Sequence, residues 1–230
     1  MSAPLPPPAA APAGAWPMIR AMVGIGLVCG VAIVLAFRGT LPVIERNRAE
    51  ALQKAILQVL PAATTSAAFV LGEDGGFAPL TGKPGAAQVI HAGYDGEGRL
   101  VGFAIEAAGM GYQDLIKVLY GYDPERQAIV GFRVLESRET PGLGDKIDTD
   151  PTFLENFRAL DVSLAEGGAA LAHPITSVAS GKKSSPWEVD AITGATVSSK
   201  AVAKLLQESA AFWMPKIRPR IDDFAKGERP

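Results

Sequence analysis

The chain has 230 residues, of which 48% are hydrophobic and 20% are charged, and its formal net charge is −2. A chain without excess positive charge lacks the means to neutralise many phosphates, so we expect no nucleic-acid partner. Its single cysteine excludes an internal disulfide, a CxxC redox pair and a cysteine-ligated iron–sulfur cluster. His91 and His173 lie far apart in sequence, which argues against a zinc site. Redox chemistry in this chain would therefore need an organic cofactor.

Residues 1–17 contain six prolines and no charged side chain, a composition that predicts an extended or disordered tail. Residues 18–38 follow as a predicted transmembrane helix, whose uncharged run Ala21–Phe37 is flanked by Arg20 and Arg38. A helix of that length measures about 26 Å, the short end of what spans a bilayer. A buried core helix would need a polar face that the run lacks, and a cleaved signal peptide would need a more basic start.

Basic residues are more frequent on the C-terminal side of this predicted membrane helix. Arg20 precedes the helix, whereas Arg38, Arg46, Arg48 and Lys54 follow it. Counted by the positive-inside rule alone, this distribution would leave the large C-terminal part of the chain in the cytoplasm.

Residues 39–66 are predicted to form an amphipathic helix and a linker that leave the membrane. Apolar residues recur at helical spacing between positions 43 and 60, and the helix is expected to end at Pro61. The apolar stripe comprises Leu52, Ala55, Ile56, Val59 and Leu60.

Residues 67–215 change to the alternating pattern of β-strands and form the predicted main domain. Strands in succession followed by helices indicate an α+β fold with an antiparallel sheet and flanking helices. Asp-Gly and Asp-Pro turns predict two β-hairpins. The hairpins pair 87–94 with 100–107 and 115–122 with 128–135.

Two helices are predicted after these strands. The first covers 152–160 with Thr152 as its cap, and the second covers 197–213 and ends before Pro215. The segment 163–186 between them has the composition of a loop. Residues 216–230 are charged and predicted to be a solvated tail.

The segment 190–199, with the sequence DAITGATVSS, carries the clearest chemical signal. Its small residues Gly194 and Ala195 form a turn that leads into the predicted second helix. Free amides and the positive dipole end at such a helix N-terminus favour a phosphate. The alternative is that its hydroxyl groups are ordinary N-caps. Those hydroxyls belong to Thr193, Thr196, Ser198 and Ser199.

A second segment, 139–147, has the sequence ETPGLGDKI. Pro141 and Gly142 predict a turn, and the glycines at 142 and 144 allow positive φ and close approach of the backbone to a flat ligand. Leu143 would project onto that ligand. The alternative is a mobile surface turn with solvated charges, among them Glu139.

A third segment, 109–112, has the sequence GMGY. Aromatic residues on strands are mostly core residues, which is the expectation for Tyr120 and Tyr122. Tyr112 lies beside a glycine turn instead, so we expect it near the ligand.

Together the three segments resemble the FMN-binding domain family, and with the N-terminal span the whole is similar to the G subunit of the Rnf (Rsx) electron transport complex. DAITGAT resembles the flavinylation motif Dxx[ST]GA[TS], and ETPGLG resembles a loop of the same domains. By this resemblance Thr196 carries covalent FMN through a phosphoester, made by a flavin transferase with FAD as donor. The implied cofactor-binding residues are Tyr112, Glu139, Thr140, Gly142, Leu143, Gly144, Asp190, Thr193, Gly194, Ala195, Thr196 and Ser198.

The resemblance also implies a function and a location. The chain would be a membrane-anchored subunit of a ferredoxin:NAD oxidoreductase coupled to ion translocation, and it would relay electrons among the other subunits. It would lie in the bacterial inner membrane as a single-pass protein with the FMN domain on the periplasmic side, against the arginine count. Asp190 would either help the transferase bind metal or brace the turn.

Three alternatives stay open. One is the C subunit of the sodium-translocating NADH:quinone reductase, whose flavinylation motif is similar. Another is a non-catalytic assembly or anchoring protein, which would be colourless. The third, a flavin reductase acting alone, would need an acid/base constellation that the sequence lacks, and we assign no catalytic residue.

Overall fold

The structure, a computed structural model, describes residues 14–82 and 88–225. The chain divides into two units, Met1–Ala49 and Glu50–Pro230. Most of the tail predicted to be disordered lies outside the described residues. Its last three residues, 15–17, belong to the first helix instead, because Pro17 lies in the first turn of that helix, where no intrahelical donor is needed.

Helix α1 runs without interruption over Ala15–Val59. The prediction of one helix over 18–38 and another within 39–66 is therefore wrong in its boundary. The change in composition near residue 38 does not break the helix, and the Thr40 hydroxyl donates to the Ala36 carbonyl at 2.9 Å shortly before Pro42. By length and composition α1 can cross a membrane.

Seven strands form an antiparallel sheet. They are β1 Thr65–Leu71, β2 Phe77–Pro79, β3 Val89–Tyr94, β4 Leu100–Met110, β5 Leu115–Asp123, β6 Ala128–Glu136 and β7 Leu160–Asp161. Their order in the sheet is β2-β1-β3-β4-β5-β6-β7. Both predicted hairpins are confirmed, as β3–β4 and β5–β6, and so is the α+β class.

The remaining elements follow β6 in the chain. The predicted helix at 152–160 is shorter, and its cap is Asp150 rather than Thr152, because the Asp150 carboxylate accepts the amides of Thr152 and Phe153 at 2.9 and 3.1 Å. The predicted loop 163–186 contains a short strand over Thr176–Val178, here β8. The elements are α2 Lys146–Thr149, α3 Pro151–Glu155, a 3₁₀ turn Asn156–Arg158, β8 Thr176–Val178, parallel to β9 Glu188–Asp190, α4 Thr196–Ile217, a 3₁₀ turn Arg218–Arg220 and α5 Asp222–Ala225.

The two faces of the sheet are covered by different elements. Phe103 and Ile105 of β4 belong to the main core, which also contains the buried side of α4. Ala104 faces the opposite way and packs with Ile56 and Val59 from the last turns of α1. The predicted apolar stripe of that segment is thus confirmed as a packing face.

The C-terminal residues are part of the core. Helix α4 continues through Pro215 to Ile217, and both Ile217 and Phe224 are fully buried. The Tyr94 hydroxyl donates to the Phe224 carbonyl at 2.8 Å. The prediction of a solvated tail from residue 216 is therefore wrong as far as residue 225, because two apolar side chains bury enough surface to hold this charged segment in place. The last five residues lie outside the described part.

Candidate functional site

A cavity of about 350 Å³ lies where the ends of β4 and β6 meet the start of α4. Its size falls within the range of about 300–1,000 Å³ that is usual for small-molecule sites. Three segments that are distant in sequence form its wall, and they are the three segments singled out from the sequence. The lining residues are Tyr112, Glu139, Thr140, Leu143, Gly144, Gly194, Ala195, Thr196, Val197 and Ser198.

Three predicted cofactor-binding residues do not line this cavity. Gly142 is at the exposed tip of its turn, and Thr193 lines a separate, smaller cavity with Asp190. The Asp190 carboxylate accepts the backbone amides of Gly181 and Lys182 at 2.9 and 3.2 Å. These bonds hold the turn at residues 179–182, not the turn at 193–195 that leads into α4.

The four hydroxyl groups at the start of α4 differ in exposure. Ser198 and Ser199 are buried, and both hydroxyls are engaged: Ser199 Oγ accepts the Ile192 amide at 3.1 Å, and Ser198 Oγ donates to Glu139. Thr193 and Thr196 are exposed. Thr196 is the one hydroxyl of the four that is both exposed and in the cavity wall.

The start of α4 is not capped by any of these hydroxyls. Its N-cap residue is Ala195, which has no polar side chain and makes no capping hydrogen bond. The N-cap interpretation of the motif is therefore wrong. The first amides of this 22-residue helix point toward the cavity end of the helix without a side-chain acceptor at the N-cap, an arrangement that suits a phosphate.

The ETPGLG segment forms a tight turn. The Leu143 amide donates to the Thr140 carbonyl at 3.1 Å, with Pro141 and Gly142 between them. Gly142 has φ +78°, the conformation required at the third position of a type II turn. The turn presents Leu143 half exposed in the cavity wall.

Glu139 and Gly144 of this segment both line the cavity, and both are buried. Glu139 is buried, with 6% of its surface exposed, so it is not the solvated charge of the alternative interpretation. Gly144 is also buried, and it lies close to Glu139 and Ser198. Long-range contacts of this kind give no local sequence signal.

Exposed apolar side chains surround the cavity. Tyr112, Leu143 and Val197 are 69%, 50% and 53% exposed and line it, and Met110 and Leu115 form a cross-strand pair next to it. Among the described residues outside α1, these five are the large exposed hydrophobic residues. Sequence reasoning missed Val197, although it lies between two predicted site residues. We call these five residues the apolar rim.

The other tyrosines of the sheet lie away from the cavity. Tyr120 and Tyr122 are fully buried, as predicted, and the Tyr120 hydroxyl is 2.8 Å from Ser209 Oγ. Burial raises the pKa of both phenols, that of Tyr122 to about 12. Both side chains are therefore neutral core residues.

The sequence is 30% identical over 203 residues to the G subunit of the ion-translocating oxidoreductase complex of Methanosarcina acetivorans, covering 85% of this chain and 92% of that protein. The chain belongs to the family of G subunits of ion-translocating oxidoreductase complexes. The corresponding G subunit of Shewanella baltica is 26% identical over 81% of this chain and 84% of its own. That of Aliivibrio fischeri is 36% identical, but over about half of each chain. The family resemblance stated from the motifs is thus confirmed.

Two further comparisons bear on the domain. The sequence model of the FMN-binding domain matches residues 111–211. The fold is similar to NqrC of Shewanella oneidensis, with a TM-score of 0.56 at 18% identity over 78% of this chain and 97% of that one. The C subunit of the Na(+)-translocating NADH-quinone reductase from Parabacteroides distasonis gives 0.56 at 17% identity over 80% and 96%. At these identities the likeness shows the fold alone.

The residues of the cavity fit FMN. The apolar rim offers surfaces for a flat ring, and the exposed Thr196 hydroxyl lies at a helix N-terminus where a phosphate is favoured. The matched domain, the cavity volume and these groups agree in pointing to a G-family flavoprotein.

Proposed function

We propose that this chain is the electron-carrying flavoprotein subunit of an Rnf-type ferredoxin:NAD oxidoreductase coupled to ion translocation, with FMN attached through its phosphate to Thr196. The observation that carries the attachment is that Thr196 combines exposure, a place in the cavity wall and the first position of α4. None of the other three hydroxyls in the motif combines these features.

The start of α4 would hold the phosphate. An ester to Thr196 leaves about one negative charge on the phosphodiester, and the N-terminus of a long helix stabilises an anion through its free amides and its dipole. Because Ala195 provides no competing side-chain acceptor, these amides remain available to the phosphate.

The apolar rim would hold the ring. Tyr112, Leu143 and Val197 can cover its faces and exclude water, while the turn at Thr140–Leu143 fixes the position of Leu143. Bound FMN supplies a carrier that accepts and passes on electrons singly. The chain itself binds and orients this carrier.

A separate flavin transferase would make the ester. A threonine hydroxyl is a weak nucleophile without a base, and the carboxylate in the cavity wall, Glu139, is bonded to Ser198 rather than to Thr196. In the proposed step, Thr196 Oγ forms a bond to the phosphorus of the FMN half of FAD. The pyrophosphate bond breaks, AMP leaves with its electron pair, and the hydroxyl proton passes to the transferase.

The other subunits of the complex are the proposed electron donors and acceptors. Met110 and Leu115 extend the apolar rim beyond the cavity, and exposed apolar patches of this kind mark interaction sites. A neighbouring protein docked there would reach the edge of the cofactor.

We propose that the chain lies in the bacterial inner membrane with residues 1–19 in the cytoplasm and residues 39–230 on the periplasmic side. The basis is the family resemblance, which we weigh above the arginine count because the positive-inside rule is a bias and the N-terminal flank is short. The apolar part of α1 supplies the single span.

The alternative, the C subunit of a sodium-translocating NADH:quinone reductase, rests on its similar flavinylation motif and on a shared fold at 18% identity. Identity to the G subunit from Methanosarcina acetivorans is 30% across 85% of the chain, which favours the Rnf-type assignment. A non-catalytic assembly protein would carry no flavin at all.

The attachment is tested by co-expressing the chain with a flavin transferase and imaging flavin fluorescence on a denaturing gel. We expect fluorescence from the unaltered chain, none from Thr196→Ala, and partial labelling of Thr196→Ser, which keeps the hydroxyl. The matched control is Thr193→Ala, which removes the other exposed hydroxyl of the same turn and should stay fluorescent. Covalent flavin on Thr196→Ala would refute the assignment.

A further inference from the structure

Glu139 connects three segments of the chain that are far apart in sequence. Its Oε1 accepts the backbone amide of Gln113 at 3.0 Å, and its Oε2 accepts the hydroxyl of Ser198. The first bond reaches the turn that joins β4 to β5, and the second reaches the first turn of α4. The Glu139 carboxylate thus links its own segment to the β4–β5 turn and to the first turn of α4, which are the three parts of the cavity wall.

The space around this carboxylate is made by two glycines. A Cβ on Gly111 would lie 2.5 Å from Glu139 Oε1, and a Cβ on Gly144 would lie 2.6 Å from Oε2 and 2.7 Å from Ser198 Oγ. A Cβ carbon cannot form a hydrogen bond, and carbon atoms do not come this close to oxygen atoms in a close-packed interior. Contact with this glutamate therefore explains both glycines in part. A Cβ on Gly111 would also lie 2.6 Å from Ile116 Cδ1.

The Glu139 carboxylate is buried. Glu139 is 6% exposed, and within residues 14–82 and 88–225 no lysine or arginine is found in an ion pair with it. Its negative charge is stabilised by hydrogen bonds from Ser198 and Gln113 and by the nearby N-terminus of α4.

We propose that Glu139 is a positioning residue that sets the shape of the cavity and provides a fixed negative charge in its wall. The positioning role of Glu139 rests on the geometry alone. Its effect on the potential of the flavin, the electronic part, rests on the proposed function, the binding of FMN. A fixed negative charge opposes the addition of an electron to a neighbouring cofactor. Glu139 therefore keeps the midpoint potential of the bound flavin lower than a neutral residue would.

The positioning part is tested on the full chain made without a flavin transferase. In Glu139→Ala we expect amide hydrogen exchange at Gln113 to rise about tenfold or more, as follows from losing a bond to a charged acceptor. Glu139→Gln should restore much of the protection, because an amide can accept from Gln113 and donate to Ser198. The control is Glu136→Ala, which removes an exposed carboxylate at the end of β6.

Unchanged exchange at Gln113 in Glu139→Ala would overturn the positioning role whether or not Thr196 binds FMN. If Glu139→Ala does not fold, Ser198→Ala is the second variant, because it removes one of the two bonds to Glu139. We expect it to raise amide hydrogen exchange in the 139–144 turn, and unchanged exchange there would refute the positioning role.

The electronic part is tested on the flavinylated chain. Glu139→Gln should retain covalent FMN and show a midpoint potential more positive than that of the unaltered chain, whereas Glu136→Gln should not change it. A potential that stays the same in Glu139→Gln would refute the fixed charge. Absence of covalent flavin from every variant and from the unaltered chain would refute the proposed function instead, and the exchange result would still stand.

Discussion

Gly142 and Gly144 stand on either side of Leu143, but the structure requires glycine at the two positions for different reasons. Gly142 has φ +78° and open space around a Cβ, whereas Gly144 has close contacts with Glu139 and Ser198. We expect Gly142→Ala to lower the free energy of unfolding by about 1–2 kcal/mol through backbone strain, with an unchanged flavin absorption spectrum. Gly144→Ala should change that spectrum, because its Cβ displaces the bond between Glu139 and Ser198.

Thermal unfolding and absorption spectra of the flavinylated full chain in detergent provide the measurement. Equal spectral changes in the two variants would show that the turn acts as a unit and that the contact with Glu139 has no special role. An unaltered spectrum in Gly144→Ala would contradict the geometry of the cavity wall.

At this scale the sequence identifies the right segments but not all the roles within them. Thr196 and Leu143 are predicted from motif and turn chemistry, and both line the cavity. The burial of Glu139 cannot be predicted, because its partner Ser198 lies 59 positions away and no local pattern records the contact. Val197 gives no sequence signal because it has no polar group to suggest chemistry.

The C-terminal segment after α4 is a structural element of the main core. Phe224 makes ring contacts with Phe69, Phe77 and Phe103 at centroid distances of 4.9, 4.7 and 4.6 Å. We expect Phe224→Ala to lower the free energy of unfolding by about 3–5 kcal/mol, the usual loss for a fully buried phenylalanine. Thermal or chemical unfolding of the full chain checks this value.

Phe212 provides the matched control, because it is a half-buried phenylalanine on the neighbouring helix. Phe212→Ala should lose clearly less stability than Phe224→Ala. Equal losses, or no loss in either variant, would mean that the segment after residue 217 is not held in the core.

The ends of helices are the least predictable feature of this fold. The sequence predicts that the second helix ends before Pro215, yet α4 includes this proline. A proline inside a helix removes one hydrogen bond and clashes with the preceding turn, which costs about 3 kcal/mol. Burial of Met214, Ile217 and Phe224 on either side of Pro215 offsets that cost. The strands are easier to predict, because turn residues and alternation mark both hairpins locally.

For the whole molecule, the orientation in the membrane is the proposal with the most direct functional consequence. We expect a C-terminal alkaline phosphatase fusion to be active, because that enzyme folds only outside the cytoplasm. A green fluorescent protein fused at the same C-terminal position would be exported with the domain, and we expect it to be dark. The matched pair of fusions at residue 19 should show the opposite behaviour. An active cytoplasmic reporter at the C-terminus would reverse the orientation and support the arginine count.

The family assignment is predictable from sequence because the three motifs are local and in the right order, and because two of them, ETPGLGDKI and TGAT, are specific. Their meeting in one cavity is not visible in the sequence, since it depends on how β4, β6 and α4 pack. The separation of Thr196, in the cavity wall, from Asp190, which braces a loop outside it, likewise requires the structure.

Peptide mapping by tandem mass spectrometry of the chain purified with its complex can determine whether Thr196 carries FMN as an ester. We expect one peptide spanning residues 190–199 with the added mass of FMN less one water, and fragment ions that locate this mass on Thr196. The same mass on Thr193 or on a serine of the segment, or unmodified peptide from a yellow and active complex, would refute attachment at Thr196.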